Sequence, residues 1–481
     1  MTEFLPVLAV FIPLLGGVLQ FLMGPRAVPV WPMVVSGATT VCALALVGSV
    51  ANQGDIQHML GGWEAPLGIP LRVDGLAAVM LLLNNVVGGL VSLYALGAHG
   101  RSGAVNSHFW ALWLLLWGSL NALFVSGDLF NLYVALELVS LSAIPLVLVA
   151  GPRKTVAAAL NYLHFALFGS LVYLAGVGLT YAVAGSLDLT LIAGPLAEGG
   201  PAGHMAAACL IVGVLIKAAI VPFHIWLPAA HGNAPAAVSA VLSALVVKSC
   251  MYLLLRLWTE PLAGITVDAA AQLLGIIGAA AIGYGSVQAF RQERLKLVVA
   301  YSTVAQLGYM LLFFPMAVAT AWEGAVYHGV AHGVAKAALF LAAGNVLLYV
   351  GHDRLRELRG LDRPLALSVF AFALAGVSIM GLPPSGGFIA KWLLLSAALE
   401  TGQWWWALVL IVGGFLAAAY IFRVLRYAFL NAPGPTIEIE GPVPPRLMSW
   451  TALLLGVLSI VLGFTTAPIL GLLGGLPGAA P

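Results

Sequence analysis

The chain has 481 residues, of which 62% are hydrophobic and only 8% are charged. Soluble globular domains carry about 25% charged residues, so this composition excludes that class of protein. The net charge of +2 gives no indication of binding to nucleic acid. The sequence therefore predicts a polytopic protein of the lipid bilayer.

Apolar windows of about 20 residues, the length of an α-helix that crosses the hydrocarbon core, recur along the whole sequence. They predict an all-α polytopic membrane protein with fourteen spans, at 4–22, 29–50, 76–97, 109–125, 129–150, 157–183, 205–223, 236–258, 269–290, 297–316, 321–349, 365–397, 404–429 and 447–472.

Basic residues indicate the orientation of these spans, because cytoplasmic loops are enriched in Arg and Lys. The odd-numbered connections contain Arg26, Arg101, Arg153, Lys154, Arg291, Arg294, Lys296, Arg354, Arg356, Arg359, Arg363, Arg423, Arg426 and Arg446. The even-numbered connections contain only Arg72 and Arg256. We therefore predict that both termini lie on the outer side of the inner (plasma) membrane.

The connection between the second and third spans reads HMLGGWEAPLGIPLRVDGL. Apolar and polar residues alternate in it around Gly and Pro, which is typical of a short β-hairpin. We expect this hairpin on the outer face, as a structural cap.

Glu137 lies well inside the fifth span, close to the membrane midplane at a rise of 1.5 Å per residue. A carboxylate at that depth is paired, hydrated or protonated, because desolvation disfavours its charged form. Two compatible interpretations are a structural ion pair with a lysine of another helix and a proton-carrying group tuned by that lysine. Asp128, at the start of the same span, is interpreted as a charge serving the helix dipole, with a proton role as the alternative.

The sixth span contains Asn161 and His164 near its cytoplasmic end. A polar pair in that position usually satisfies structural hydrogen bonds. A proton-transfer role for His164 is the alternative.

Lys217 and Lys248 lie inside the apolar seventh and eighth spans. A lysine in hydrocarbon costs roughly 2.5–3.5 kcal/mol on insertion scales, so each is a candidate functional residue. Pro222 interrupts the helix after Lys217. A broken helix at membrane depth is tolerated where its backbone is buried in protein or lines water, so we expect Lys217 beside a hydrated break. A buried lysine also changes its protonation state readily.

His224 and His231 lie in the connection between these two lysines. They are candidates for donating protons into the site. Capping and loop hydrogen bonding are the alternatives for both.

In the eleventh span, His328, His332 and Lys336 are spaced by four residues and so share one helical stripe. This pattern favours a proton relay. Metal ligation is the alternative, but the lysine and the lack of a Cys or carboxylate on the stripe argue against it. Packing alone is a third interpretation.

In the twelfth span, the segment GLPPSGGFIAK predicts a helix break just before Lys391. The seventh span also couples a proline-interrupted helix to one buried lysine. Corresponding broken helices indicate transporter ion sites and an internal repeat, here of spans four to eight and nine to thirteen. The repeat is imperfect, because the tenth span has no acid equivalent to Glu137.

The buried titratable residues form one set along the chain: Glu137, Lys217, Lys248, His328, His332, Lys336 and Lys391. Such a row is what a proton path along the membrane plane requires. We identify no nucleotide-binding loop, haem motif or nucleophile constellation, and we expect neither a cofactor nor a metal.

Four segments carry a family resemblance: KAAIVPFHIWLPAAHGNAPAAVSAVLSALVVK, LKLVVAYSTVAQLGY, HGVAHGVAKAALFLAAGN and GLPPSGGFIAKW. The chain resembles, over roughly residues 60 to 430, the proton-translocating antiporter-like subunits of respiratory complex I, membrane-bound hydrogenases and Mrp-type cation/proton antiporters. Its length, its GGWEAPLGI loop and Lys391 are most similar to the D subunit of Mrp antiporters. Some complex I subunits of this family carry glutamate at the Lys391 position.

The resemblance implies fourteen helices with two inverted five-helix repeats. It also implies that Glu137 pairs with Lys217, that Lys248 links to the histidine region, and that Lys391 exchanges protons with one side of the membrane. Asn161 departs from the family pattern, which usually has a basic residue there, and Cys250 stands where glycine is usual. The first departure puts the fine tuning of Glu137 in doubt.

The implied partners are other membrane subunits, H⁺, Na⁺ or another monovalent cation, and the lipid bilayer, with no nucleic acid. We expect four parts: residues 1–107 (first three helices and outer loop), 108–260 and 261–430 (the two repeats), and 431–481 (a loop and the last helix).

Two functions follow from the resemblance. One is a subunit of a multi-subunit Na⁺/H⁺ antiporter. The other is a proton-pumping membrane-arm subunit, without its own redox cofactor, of a complex I-like NADH-quinone oxidoreductase or a membrane-bound hydrogenase. An inactive relative, or one linked to inorganic-carbon uptake, is a further alternative.

Overall fold

A computed structural model describes residues 2–24, 29–99, 107–149, 153–361, 363–429 and 441–477. Arg26, Arg101 and the boundary between residues 430 and 431 lie outside the described residues, and the side chains of Arg153 and Lys154 are not described either.

Helices account for most of the described chain. In order they are α1 (Leu5–Met23), α2 (Val30–Gln53), α3 (Gly75–Ala98), α4 (Ser107–Val125), α5 (Leu129–Leu148), α6 (Arg153–Ala184), α7 (Ala193–Glu198), α8 (Gly200–Lys217), α9 (Trp226–Asn233), α10 (Ala236–Val241), α11 (Val247–Thr259), α12 (Asp268–Arg291), α13 (Leu295–Leu311), α14 (Phe313–Met316), α15 (Ala319–Val350), α16 (Ala366–Met380), α17 (Gly386–Glu400), α18 (Trp404–Phe429), α19 (Arg446–Val461) and α20 (Thr466–Leu473).

The predicted spans match these helices. Within the described residues, 12 continuous segments are long and apolar enough to cross a membrane, and α19 with α20 forms one further pair bent by 77°. The remaining predicted span, the twelfth, corresponds to α16 and α17, which are separated by a short break. The prediction of an all-α, multi-pass membrane fold is confirmed.

The predicted hairpin forms between α2 and α3. Strands β1 (Ile56–Leu60) and β2 (Ile69–Val73) pair antiparallel, with Ile56 opposite Val73. Segments near both ends of the described chain lie at or beside this hairpin. The ring of Phe4 lies 4.9 Å from that of His58, and a Cβ on Gly75 would lie 2.2 Å from the carbonyl oxygen of Leu472.

The two basic residues that do not follow the charge asymmetry, Arg72 and Arg256, are neutralised beside the hairpin. Arg256 is 2.7 Å from Asp74 and 2.5 Å from Glu260. Arg72 is 3.3 Å from Asp74, 3.2 Å from Glu260 and 3.5 Å from Asp55. These five residues are called the hairpin ion cluster below. Both arginines of the cluster are therefore held in ion pairs.

The seventh predicted span is broken. Helix α8 ends at Lys217 itself, earlier than Pro222 alone would require. Ala219 then takes a left-handed conformation (φ 56°), which is uncommon for a residue with a Cβ. The chain resumes as a 3₁₀ turn (Phe223–Ile225) and then as α9.

The eighth predicted span contains a feature that the sequence did not indicate. Between α10 and α11 the backbone forms a π-helical turn (Leu242–Val246). Such turns are rare and occur frequently at functional sites. This one lies just before Lys248, in a segment that is fully buried.

The twelfth predicted span breaks after α16. Gly381 closes α16 in the left-handed region (φ 79°), and the Ser385 side chain caps α17 by accepting from the Phe388 amide. Lys391, in the second turn of α17, reaches back so that its Nζ donates to the carbonyls of Ile379 (2.9 Å) and Met380 (3.2 Å). Its amine therefore lies at the C-terminal end of the first half-helix.

Candidate functional site

Glu137 of α5 and Lys217 of α8 form an ion pair, with 2.9 Å between Oε1 and Nζ. The Lys217 side chain is 4% exposed and that of Glu137 is 20% exposed. The hydroxyl of Ser170, on α6, lies between them: it accepts from Lys217 at 2.5 Å and donates to Glu137. The expected pairing of Glu137 with Lys217 is thus present in the structure, with a third member that the sequence analysis missed.

Two glycines allow this arrangement. A Cβ on Gly169 would lie 2.8 Å from Cγ of Lys217 and 2.9 Å from the carbonyl oxygen of Gly213. Helices α6 and α8 therefore cross in close contact, and the lysine stem lies against the α6 backbone. Recognising Ser170 from sequence would have required knowing that these two helices cross at Gly169.

A small cavity lies on the other side of Lys217. Its lining includes Tyr162 and Trp226, whose rings stack at 4.1 Å, and the thiol of Cys250 from α11. Its volume, about 10 Å³, is close to the space that one water needs. Cys250 therefore narrows the space between Lys217 and the eighth span, where a glycine would leave more room.

Lys248 is completely buried. Its Nζ donates to the carbonyl oxygen of Ser243, inside the π-helical turn. The Ser243 hydroxyl is in turn 2.8 Å from that of Thr303 on α13. Among the described residues no carboxylate lies within ion-pair distance of Lys248. A backbone carbonyl of the π-helical turn, that of Ser243, thus serves as the hydrogen-bond acceptor for this amine.

A chain of ring contacts leads from His332 to Lys391. The His332 and His328 rings are 5.7 Å apart, and the His328 and Tyr309 rings are 5.2 Å apart. The Lys391 amine lies 4.5 Å from the centre of the Tyr309 ring. His328 Nε2 is also 3.1 Å from the carbonyl oxygen of Gln306. Tyr309, which the sequence analysis missed, joins the eleventh span to the twelfth.

Lys336 points to α13 rather than along its own stripe. Its Nζ donates to the carbonyl oxygen of Val299 at 2.7 Å and to the hydroxyl of Ser302. It is completely buried, and both ring nitrogens of the neighbouring His332 lack a hydrogen-bond partner among the described residues. Buried polar groups are nearly always hydrogen-bonded, so water is the partner that fits His332.

Lys391 lies at the edge of the bundle. It lines a groove of about 460 Å³ between α17 and α18, together with apolar residues such as Phe388, Trp392 and Phe415. The residue is 9% exposed, whereas Lys248 and Lys336 are completely buried. Lys391 is therefore the most exposed lysine of the row.

The four accessory candidates are dispersed. Asp128 is the N-cap of α5 and accepts from the amides of Phe130 (2.9 Å) and Asn131 (2.8 Å). This agrees with its interpretation as a charge at a helix start. Burial and, less strongly, the nearby Asp188 carboxylate raise the pKa of Asp128, against these two hydrogen bonds.

His164 and Asn161 lie on the exposed face of α6. Asn161 is nine residues before Ser170, or about 14 Å along the helix axis. The structure therefore does not bring it to the Glu137 pair.

The two histidines of the broken seventh span have different surroundings. His224 is 8% exposed and packs edge-on against Tyr284 at 4.7 Å. His231 is completely buried and stacks on Phe340 at 4.9 Å.

The described residues contain no group of three or more His, Cys, Asp or Glu side chains arranged to hold a metal ion. Instead, they place a row of buried titratable side chains between two broken helices. This fold and site define a membrane protein of the antiporter-like class.

A family model described as "NADH:quinone oxidoreductase/Mrp antiporter, TM" matches residues 126–417, and the chain belongs to this family. The resemblance deduced from the sequence motifs is confirmed.

Two relatives illustrate the two branches of the family. The chain is 36% identical to the N subunit of the NADH-quinone oxidoreductase of Desulforudis audaxviator, over 98% of this chain and 97% of the relative. It is 27% identical to the D subunit of the Na(+)/H(+) antiporter of Bacillus subtilis, over 96% of this chain and 94% of the relative.

The similar solved structures also come from both an Mrp complex and a respiratory complex. A chain of the Mrp complex from Dietzia sp. superposes with a TM-score of 0.90 at 26% identity, covering 98% of this chain and 96% of that one. A chain of the membrane-bound sulfane sulfur reductase, an archaeal respiratory membrane complex, superposes with a TM-score of 0.89 at 25% identity, covering 97% and 96%.

Proposed function

We propose that this chain is a proton-translocating membrane subunit of a multi-subunit monovalent cation/proton antiporter, with Na⁺ as the exchanged cation. One observation carries the proposal: buried titratable side chains run from the Glu137–Lys217 ion pair to Lys391, with direct ring and amine contacts from His332 onward. The proton-transfer residues are Glu137, Lys217, Lys248, His328, His332, Lys336 and Lys391.

The ion pair acts as a switch in this scheme. Protonation of Glu137 removes the negative charge that holds Lys217, because the attraction of two buried charges is strong only while both are present. The Lys217 charge then acts on the next amine in the row, Lys248. Lys391, the most exposed lysine of the row, exchanges its proton with one side of the membrane.

The proposed partners are other membrane subunits, since both structural neighbours are chains of membrane complexes. We place the chain in the plasma membrane with both termini outside. We also retain two inverted repeats, spans four to eight and nine to thirteen, with part boundaries after residues 107, 260 and 430. The presence of one buried lysine close to the break in each of the two broken spans supports the repeat.

The test is transport by the purified complex in proteoliposomes, with an imposed Na⁺ gradient and a pH-sensitive dye inside. We expect Na⁺-dependent proton flux in the wild type. Glu137→Gln and Lys217→Ala should each abolish it while leaving the complex assembled. Glu198→Gln, an exposed carboxylate on α7, is the matched control and should transport normally. Wild-type flux in either of the first two variants would remove the ion pair from the mechanism.

A second candidate is a proton-pumping membrane-arm subunit of a complex I-like NADH-quinone oxidoreductase or a membrane-bound hydrogenase. The 36% identity to the N subunit of a NADH-quinone oxidoreductase favours it. Proton flux that requires NADH and quinone, or hydrogen, and that ignores the Na⁺ gradient would select this candidate. An assembled complex with neither activity would select the inactive or inorganic-carbon-linked alternative.

A further inference from the structure

Lys296 is a buried lysine that the row described above does not use. The sequence places it in a connection with Arg291 and Arg294, but the structure puts it in the first turn of α13, only 1% exposed. Its Nζ donates to the carbonyl oxygen of Ala234, just beyond the end of α9. A lysine in this environment needs a reason, because burial of an unpaired cation is unfavourable.

Helix α13 links Lys296 to the row. Val299 and Ser302, which accept hydrogen bonds from Lys336, follow Lys296 in the same helix. Three residues of α-helix span about 4.5 Å along the axis. Lys296 therefore lies one turn away from the contacts of Lys336.

His231 lies near the carbonyl that Lys296 binds and packs against the helix that carries Lys336. It is three residues before Ala234, and its ring stacks on Phe340, one helical turn after Lys336. Neither of its ring nitrogens has a hydrogen-bond partner within the described part of the chain. The charged groups that act on the ring are Lys296, Lys336 and Lys248.

A polar cluster connects Lys296 to the surface. The buried carboxylate of Asp353 accepts from the Lys296 amide at 3.3 Å and is paired with Arg294 at 2.9 Å. The Arg294 side chain is 41% exposed and donates to the carbonyl oxygen of Gly232 at 2.9 Å. These residues belong to the connections that the charge asymmetry assigns to the cytoplasm.

Capping of α9 is the simpler role for Lys296. A cation at the C-terminal end of a helix is favourable. However, Arg294 already donates to the end of α9 from the surface. A second, fully buried cation beside an unpartnered histidine calls for another explanation.

We propose that Lys296 and His231 form a proton path from the cytoplasmic face into the row at Lys336. A proton bound by the Lys296 amine passes to one ring nitrogen of His231, and the other ring nitrogen releases a proton to the Lys336 amine. Each step forms one N–H bond and breaks another, so no oxidant or co-reactant is needed. This inference rests on the proposed function, because it requires proton flux through the row.

Lys296→Arg tests the path. Arginine keeps the positive charge and the donors that cap α9, but it does not deprotonate in proteins. We expect at least a tenfold loss of proton uptake from the cytoplasmic face in proteoliposomes of the whole complex, with assembly and thermal stability retained. The matched control is Arg356→Lys, which keeps a cation at a side chain that is 71% exposed and outside this cluster, and it should transport as the wild type does.

His231→Gln provides a second test that leaves the capping bond of Lys296 in place. Glutamine is polar but does not titrate, so the same loss is expected. Wild-type flux in either assembled variant overturns the path, and failure of both variants to assemble assigns a structural role instead. If the wild type transports and Lys217→Ala does not, while both new variants do, only this inference fails. If the wild type moves no protons, the proposed function fails.

Discussion

The Ser170 hydroxyl bridges Glu137 and Lys217. Its removal therefore tests whether proton transfer between the two needs the bridge or only their direct contact. Ser170→Ala should leave Glu137 and Lys217 in direct contact but remove the bridge. A hydrogen bond to a charged group contributes about 1.5–3 kcal/mol, so we expect proton flux to fall roughly tenfold or more. Dye-monitored flux of the reconstituted complex measures this.

Two variants serve as controls for that experiment. Ser170→Thr keeps a hydroxyl and should retain most of the flux. Ser142→Ala removes a hydroxyl of α5 that donates to the Leu138 carbonyl oxygen of its own helix, at 2.7 Å, and should have no effect. Full flux in Ser170→Ala would mean that the pair exchanges its proton without the bridge.

Sequence reasoning located the charged members of the row because an acid or lysine inside an apolar span is conspicuous. It missed Ser170 and Tyr309, since serine and tyrosine are ordinary residues in membrane helices and gain a role only from the helix they face. It missed Lys296 for another reason. That lysine lies within two residues of a helix start. At such a position the sequence pattern is the same for an exposed cation in a loop and for a buried cation in the first helical turn.

At the scale of elements, each of the two broken spans carries a buried lysine close to its break, but the two amines are held by different partners. The C-terminal end of a half-helix carries partial negative charge on its free carbonyls. The Lys391 amine binds two such carbonyls of α16, and Lys217 is the last residue of α8. The break in the twelfth span therefore stabilises a cation at membrane depth through carbonyl oxygens, whereas Lys217 is held by the Glu137 carboxylate and the Ser170 hydroxyl.

Gly387 holds the two halves of the twelfth span together. A Cβ at this position would lie 1.9 Å from the carbonyl oxygen of Ser378, in α16. Gly387→Ala should push α17 away from α16 and move Lys391 off its carbonyl partners. Overpacking of this kind costs about 1–3 kcal/mol or more, so we expect a lower melting temperature together with loss of proton flux.

Gly414, on the facing helix α18, provides the matched control for Gly387→Ala. A Cβ there would meet only the Met380 carbonyl oxygen, at an ordinary distance of 3.6 Å. Gly414→Ala should keep both flux and melting temperature. Normal transport by Gly387→Ala would show that Lys391 functions without its close contact to α16.

The predicted spans matched the observed elements because hydropathy fixes helix length in a bilayer and proline marks the breaks. The π-helical turn had no such signal. Its sequence, LSALV, is as apolar as the helices on either side. It depends on how the eighth span packs and on the amine of Lys248, which binds inside it, and neither is visible in a local pattern.

At the scale of the whole molecule, the hairpin ion cluster joins the hairpin, α3 and α11. Burial alone would raise the pKa of Asp74, but Arg256, the Ala77 amide and Arg72 together lower it to about 2, from an ordinary 3.8. A depressed pKa means that the carboxylate stabilises the fold above about pH 4. That contribution is lost as the pH falls toward 2.

Asp74→Asn should therefore destabilise the protein at neutral pH. It leaves Arg256 buried with Glu260 as its remaining acid, so we expect a loss of roughly 3 kcal/mol. The difference in thermal stability from the wild type should narrow between pH 4 and pH 2. Melting curves of the purified complex over that range provide the measurement.

Asp55→Asn is the control for the cluster. Asp55 pairs with Arg72 at 3.5 Å through a side chain that is 58% exposed, and such surface pairs contribute only about 0–1 kcal/mol. Equal melting temperatures of Asp74→Asn and wild type at pH 7 would contradict the role given to the buried carboxylate.

Phe4 and Leu472, near the two ends of the described chain, both lie at or beside the hairpin and so on one face of the membrane. This determines whether the number of membrane crossings between them is odd or even. A chain that starts and finishes on one face of a bilayer crosses it an even number of times. The 12 continuous helices of the described chain and the bent α19–α20 pair would give an odd total. We therefore predict that the half-helices α16 and α17 count as one complete crossing, which gives fourteen crossings over the described residues. An epitope attached to either end should be reached by antibody from the same side of the membrane.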